Sequence, residues 1–393
     1  MSFYTEDQCR TLDALFGGDC PYHQVLREFG VFVEKTILPL APRLDTTHEF
    51  PRQSWQRLRE QGFFAMPFPE WAEGLGLPFV VYVGALELLA KGCAATALSA
   101  AIHNTATQGV LDYGNETLKE NFLKAMVTGE FVSAFALTEP GSGSDAAALK
   151  TRAHYADCSY RLEGSKSFIS NAGVADLYFV FARTDKGISA FLVHKGDEGF
   201  QVGGLIEKLG VRGSPTGLLY FDGCRVPKER LVGEEGEGDR YLKAMLNTGR
   251  VTVAAISVGI AEAAFEKSFR YSLERRQFGR PLYEFQMTQD KLATLSTRIA
   301  AARKLTYHAA TLKDRTEDFA LEASQAKLLA AEVSQQVSLE AIQIHGGVGY
   351  ADETDVHRHV RDALLMSIGE GTSEIQKLLI ARLDRERYGF RRG

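Results

Sequence analysis

The chain has 393 residues, too many for one ordinary domain, and its 45% hydrophobic and 24% charged content is that of a soluble globular protein in two or three packed units. A formal net charge of -5, the balance of 45 basic and 50 acidic residues without a long single-sign run, argues against a nucleic-acid partner and leaves room for a small anionic ligand. Cys9, Cys20, Cys93, Cys158 and Cys224 are odd in number, scattered and free of any CxxC pair, which argues against a disulfide framework and a zinc site. The start, MSFYTEDQCR, leads into no apolar h-region, and no uninterrupted apolar run approaches the roughly 20 residues of a membrane span. The expectation is a cytoplasmic protein in a reducing compartment, with no membrane and no nucleic acid.

In chain order, apolar residues first recur at helical spacing, as in Leu86, Leu88, Leu89 and then Ala97, Leu98, Ala101, which predicts a helical unit over residues 1–128. Over 129–236 the texture changes to short β-branched and aromatic runs (FVSAFAL, LYFVFA, ISAFLV, LLYF) separated by Gly, Asp and Ser turns, which predicts a β domain. The Gly-rich, charged GEEGEGDR at 233–240 reads as a hinge. Over 237–393 long Ala, Leu and Glu-rich stretches return, with Ala326, Leu329, Val333, Val337 and Ala341 on one helical stripe. The fold class is mainly α with a central β domain.

Five stretches offer chemistry, and each also has a plain structural reading. Phe135 to Asp145 (FALTEPGSGSD) ends a strand in a loop whose glycines, Gly143 among them, let backbone approach a ligand, while Thr138, Ser142 and Ser144 offer hydroxyls. The alternative is a turn with self-satisfied Ser and Thr side chains. No GxGxxG stands on a strand-to-helix turn here, so a Rossmann dinucleotide site is unsupported. Gly164 to Gly173 is a second polar-aromatic loop, in which Phe168 and Ser170 share a face: an aromatic to lie against a planar cofactor and a hydroxyl for its edge, or simply a packed ring beside a turn. Arg275 to Arg280 (RRQFGR) ends a helix, where its arginines either complement the helix dipole or clamp a phosphate. Gln343 to Gly349 follows a helix, and its glycines either cap that helix or let amides reach phosphates.

The fifth stretch, Ile368 to Glu374 (IGEGTSE), puts Glu370 between two glycines just before a helix capped by Thr372 or Ser373, with Glu374 in its first turn. Glu370 is then either an acid aimed into a cavity or an ordinary loop acid. Asp355, His357 and His359 diverge at their i and i+2 spacing on a helix, so no metal is expected.

Taken in order, TEPGSGSD, GSKSFISNAG, GRVTVAAISVGIAEA, ERRQFGRP, AIQIHGGVGY and GEGTSEIQKLLIAR resemble signatures of the acyl-CoA dehydrogenase family, and the resemblance runs from about residue 25 to about 385. It implies an N-terminal helical domain, a middle β barrel and a C-terminal four-helix bundle that builds a homotetramer. It implies FAD between the β domain and the bundle, an acyl-CoA substrate and an electron-transferring flavoprotein as partner. By the resemblance Glu370 is the catalytic base, Thr138 bonds the flavin near N5, Phe168 packs on its rings and Ser170 bonds its polar edge. Phe135, Leu137, Gly143 and Ser144 belong to the cofactor loop, Ser144 also touching the pantetheine chain. Arg275, Gln277, Phe278, Gln343 and Gly347 hold the adenosine and pyrophosphate of an FAD in a neighbouring subunit, and Thr372 and Glu374 close over the cofactor. Arg250, Gly369 and Gly371 lie beside the substrate.

The place of the base narrows the branch. Isovaleryl and long-chain enzymes carry the carboxylate at the position of Gly249, which cannot serve, so short-, medium- or branched-chain types resemble this chain better. No arginine stands in 93–101, where the glutaryl branch would hold a second carboxylate. Two departures matter: Gly369 stands where straight-chain enzymes usually have a bulky aromatic, and Phe168 replaces the common tryptophan. Both suggest a wider, branched, cyclic or polar acyl group. Three alternatives keep the scaffold: a biosynthetic dehydrogenase of a carrier-protein-bound acyl or aminoacyl group, an acyl-CoA oxidase, and a flavin-retaining binding protein without dehydrogenase activity.

Overall fold

The structure, a computed structural model, describes residues 2–390, so the first residue of the expected N-terminal unit and the last three of the C-terminal unit lie outside it. The chain begins with α1 (Glu6–Phe16), started by a capping box in which Thr5 and Gln8 satisfy each other's backbone amides. Next come α2 (His23–Phe32), α3 (Ala41–Thr47), α4 (Arg52–Glu60), α5 (Phe79–Gly92) and α6 (Ala94–Tyr113). Two short turns of helix, α7 (Glu116–Leu118) and α8 (Lys124–Val127), complete this part. Every residue of α5 is buried, and its first two amides are satisfied from another helix by the Asp314 carboxylate, 2.6 Å from Phe79 N and 3.0 Å from Val80 N.

The strands follow: β1 (Ser133–Ala136), β2 (Arg152–Ala156), β3 (Ser159–Ser170), β4 (Leu177–Thr184), β5 (Gly187–His194), β6 (Phe200–Leu205), β7 (Thr216–Pro227) and β8 (Leu231–Val232). They form one eight-stranded sheet in the order β6-β7-β3-β2-β4-β5-β8, with β1 paired parallel to β4. Its hydrogen-bonded path runs from β6 to β8 and forms the central β domain expected between the two helical parts. β4 and β5 read as almost uninterrupted apolar runs because both of their faces are covered.

The last part is helical: α9 (Gly238–Glu274), α10 (Gln286–Asp314), α11 (Ala320–His345), α12 (Val356–Met366) and α13 (Ser373–Arg387), with a small hairpin of β9 (Arg276–Gln277) and β10 (Arg280–Pro281) after α9. By length and composition α9 could cross a membrane, but 83% of its apolar window is buried inside the fold, as befits the axis of a bundle. It packs tightly against α5: a Cβ at Gly259 would lie 2.4 Å from the carbonyl oxygen of Glu87. One core joins α5, α9, α10 and α11 and continues into one face of the sheet. A second, around Phe135, Phe179, Phe181 and Met245, fills the space between the sheet, α6 and the start of α9.

Candidate active site

Two loops of the β domain are fixed to each other by a buried ion pair. Glu139, next to Thr138, accepts from Lys166 Nζ at 2.8 Å and from the amides of Thr151 and Lys150 at 2.9 and 2.5 Å. Lys166, fully buried on β3, also donates to the Leu137 carbonyl at 2.9 Å. Burial pushes the Lys166 ammonium down to about 8, against the pull of Glu139. Burial also works to raise the Glu139 carboxyl, but the hydrogen bonds from Lys166 and the two amides outweigh it and hold Glu139 below its ordinary value. The Thr138 carbonyl accepts from Ser167 N at 2.8 Å, closing the seam. Phe135 and Leu137 turn their side chains into the core, Phe135 against Phe179 and Phe181, so only their backbone is available to a ligand. Gly143 and Ser144 lie exposed at the loop tip, where a Cβ on Gly143 would meet nothing within 4 Å.

The second stretch is strand up to Ser170 rather than loop throughout. Its register with β7 slips between Lys166 and Ile169, and within that bulge Phe168 adopts φ 56° with 66% of its surface exposed. A bulky aromatic in this region is rare and strained. Next to this strained, solvent-facing ring in sequence, Ser167 Oγ is buried with no hydrogen-bond partner among the described residues. Ser170 is half-buried one pleat further on. Asn171 ends the strand with φ 64°, and its fully buried Nδ2 donates to the Ser99 and Ser133 carbonyls at 3.0 and 2.9 Å, locking the strand end to α6 and β1.

The same strand end leads to the bundle. Asn171 N donates to Pro215 O, and the segment before β7 docks on α12, with Val211 N bonded to Asp362 at 2.5 Å and Arg361 bonded to the Leu209 carbonyl at 3.1 Å. α12 runs directly into the turn that carries Glu370. There Glu370 has φ 55° and Gly371 φ 92°, and Thr372 caps α13 by accepting from Ile375 N at 3.3 Å. This left-handed step costs on the order of 1 kcal/mol for a non-glycine residue. It turns the carboxylate back over α9, where a Cβ on Gly249 would lie 2.5 Å from Oε2. Among the described residues Oε2 is buried with no hydrogen-bond partner and the Glu370 amide donates to no acceptor. Burial raises the Glu370 carboxyl above its ordinary value, opposed by the charges of Arg250 and Lys327. Arg250 is buried with its Nε unpartnered and donates to Asn247 Oδ1 at 2.6 Å. Beside Gly369 there is space: an added Cβ would meet only the Leu365 carbonyl, at 3.8 Å. Glu374, in the first turn of α13, is exposed.

The remaining candidates lie on the outer surface of the bundle. Arg275 caps the end of α9, where the helix-dipole reading still applies, while Arg276 and Arg280 stand beyond it in the hairpin. Phe278, at the hairpin tip with φ 51°, is 93% exposed. Gln343 sits inside the last turn of α11 rather than after it, and Gly346 forms the cap at φ 63°. A Cβ on Gly347 would meet nothing within 4 Å, so nothing in this chain demands glycine there.

Sequence reasoning passed over Glu139, Lys166, Asn171, Lys327 and Gln376. Lys327 had a readable signal, since it falls four residues after Ala323 and four before Ala331, on the buried face of α11.

The exposed Phe168 ring, the open loop at Gly143 and the buried Glu370 carboxylate lie in a fold shared with flavin-dependent dehydrogenases. Residues 22–130, 134–224 and 236–383 match the N-terminal, middle and C-terminal domains of acyl-CoA dehydrogenase, and the chain belongs to that family. It is 41% identical over 366 residues to the mitochondrial short-chain specific acyl-CoA dehydrogenase of Rattus norvegicus, a match covering 91% of this chain and 89% of the relative. The butyryl-CoA dehydrogenase of Megasphaera elsdenii superposes with a TM-score of 0.89 at 38% identity, covering 91% and 96% of the two chains. The FAD complex of PigA superposes with a TM-score of 0.89 at 27% identity, covering 94% and 97%. The cofactor is FAD, and the exposed Phe168 ring, the open Gly143 tip and the buried Ser167 hydroxyl fit it.

Proposed function

We propose that the chain removes two hydrogens from the α and β carbons of an acyl-CoA thioester, with Glu370 taking the α-proton. The observation that supports this most is Glu370 Oε2, buried without a partner and seated on the bare backbone of Gly249. A carboxylate buried away from bulk solvent without a protein partner is disfavoured in its charged form, which makes it a stronger base. An α-proton is too weakly acidic for such a base unless the thioester carbonyl is polarised, and the unused Glu370 amide beside it is a donor of the kind that stabilises a developing enolate oxygen. FAD, when bound, supplies the acceptor for the β-hydrogen as hydride. Phe168, Thr138 and Ser170 hold its ring system, and Arg275, Gln277, Phe278, Gln343 and Gly347 hold the far end of the cofactor of a neighbouring copy. Phe278 and Met287, 93% and 79% exposed on the bundle, suit burial between copies in a homotetramer. An electron-transferring flavoprotein completes the cycle, in the cytoplasm.

The test is anaerobic titration of the yellow holoenzyme with straight, branched and cyclic acyl-CoA thioesters. One thioester bleaches the flavin of the wild type and fails to bleach Glu370→Gln. Bound flavin that no CoA ester bleaches would direct the reading to a carrier-protein substrate.

A further inference from the structure

The turn that carries Glu370 is held from beneath by two fully buried polar side chains. Lys327, on α11, donates from Nζ to the Gly371 carbonyl at 2.6 Å. Gln376, in the first turn of α13, donates from Nε2 to the Glu370 and Gly371 carbonyls at 3.1 Å each. These bonds fall on the two residues with left-handed backbone, the step that aims the carboxylate over Gly249. Lys327 has no carboxylate within ion-pairing distance among the described residues, although every other fully buried lysine or arginine there has one: Lys166 with Glu139, and Arg303 with Glu87. A buried ammonium without a counter-ion is costly, and it persists where the charge has a use. Burial pushes the Lys327 ammonium down to about 8, with the charges of Glu370 and Glu374 holding it up and that of Arg250 pushing it down.

We infer that Lys327 is a positioning residue for the reaction, pinning the turn after Glu370 through the Gly371 carbonyl and favouring the ionised Glu370 carboxylate in its buried seat. The inference rests on the reading of Glu370 as the base. Two cations then divide the work: the charges of Arg250 on α9 and of Lys327 on α11 both favour the carboxylate, and Lys327 alone also clamps its turn. Gln376 shares the hydrogen bonding but carries no charge, so the electrostatic part belongs to the lysine. The sign follows directly. A nearby positive charge favours the carboxylate, so removing it raises the Glu370 ionisation point.

The experiment measures the ionisation of Glu370 in the FAD-loaded enzyme by infrared difference titration, using Glu370→Gln to assign the carboxyl band, beside the pH profile of flavin bleaching by butyryl-CoA. Lys327→Met shifts the Glu370 midpoint upward by about one pH unit, a tenfold change in proton affinity, and moves the rising limb of the profile with it. Lys327→Arg, which keeps the charge, stays within a few tenths of a unit of the wild type. Lys327→Gln keeps a donor without the charge, and where the methionine variant does not fold it gives the same upward shift. An unmoved midpoint with a uniform loss of rate at every pH overturns the inference, because a merely structural lysine behaves that way. A Glu370→Gln enzyme that bleaches like the wild type instead defeats the assignment of the base, whichever way the midpoint moves.

Discussion

Two clusters of buried charge lie in the same helical bundle and are built on opposite principles. Around Arg303 everything is paired. Its guanidinium bonds Glu87 Oε1 through Nε and Nη2 at 3.0 and 2.9 Å and Glu262 at 2.6 Å, and reaches Asp7 of α1. Tyr307 donates to the other Glu87 oxygen at 2.9 Å, and Gln8 donates to the Tyr307 hydroxyl at 3.3 Å. Around Glu370 almost nothing is paired: among the described residues Glu370 Oε2 and Arg250 Nε are buried without partners, and Lys327 spends its ammonium on a carbonyl. The first arrangement ties α1, α5, α9 and α10 into one body. The second leaves capacity unspent around the proposed base, the pattern expected of a site for chemistry rather than for stability.

The sharpest way to break that contrast is to remove the unpaired carboxylate. Glu370→Gln lowers the rate of flavin bleaching by on the order of 10³-fold or more, measured under anaerobic single turnover. It does so without loss of stability. A carboxyl raised above its unfolded value contributes stability that is full below the unfolded value and lost as pH rises through the folded one. The thermal midpoint of the glutamine variant therefore overtakes that of the wild type as pH rises through this window. A variant less stable than the wild type at high pH contradicts the claim that the charge is unpaired.

Arg303→Met is the opposite case. It leaves Glu87 and Glu262 buried without their cation, so denaturant unfolding loses about 3–5 kcal/mol. The bleaching rate per folded, flavin-loaded chain stays near that of the wild type. A loss of rate without loss of stability would mean that the paired cluster also serves the reaction.

Between these lies Gly249→Ala, which changes no charge. Its Cβ would stand 2.5 Å from Glu370 Oε2 and 2.9 Å from Cδ, so the carboxylate must move. Displacement by about 1 Å costs on the order of 100-fold in rate, with folding and FAD content unaltered, as bleaching kinetics and absorbance check.

Much of this was legible in the sequence, for definite reasons. Helical spacing over 23–127 and from 240 onward and the β-branched runs between follow from which side chains are buried, which the apolar pattern reports directly. Phe168 and Ser170 share the outward face of β3 as alternation requires, yet the bulge that throws Phe168 into a left-handed backbone depends on pairing with β7, which no local pattern shows. Arg276 to Pro281 folds as a hairpin instead of a helix end because Gly279, at φ 80°, turns the chain back. Buried partners were the hardest to see. Lys166 and Lys327 look like surface charges by type, and only the tertiary neighbours Glu139 and Gly371 reveal what they hold.

The smallest expected effect tests the width of the site rather than its charge. Glu370 is reached through Gly369, where a methyl group would meet only the Leu365 carbonyl at 3.8 Å, so the protein itself does not require glycine. If the space serves a branched or cyclic acyl group, Gly369→Ala leaves the bleaching rate with butyryl-CoA within about threefold and lowers it about tenfold with a branched thioester, the effect of one methyl in a hydrophobic pocket. The ratio of the two rates is the measurement, since any general disturbance of the Glu370 turn lowers both alike. A parallel fall would place the methyl against the base and not the acyl group. An unchanged ratio, with butyryl-CoA and octanoyl-CoA the best of a broad panel, would end the case for a wide acyl site.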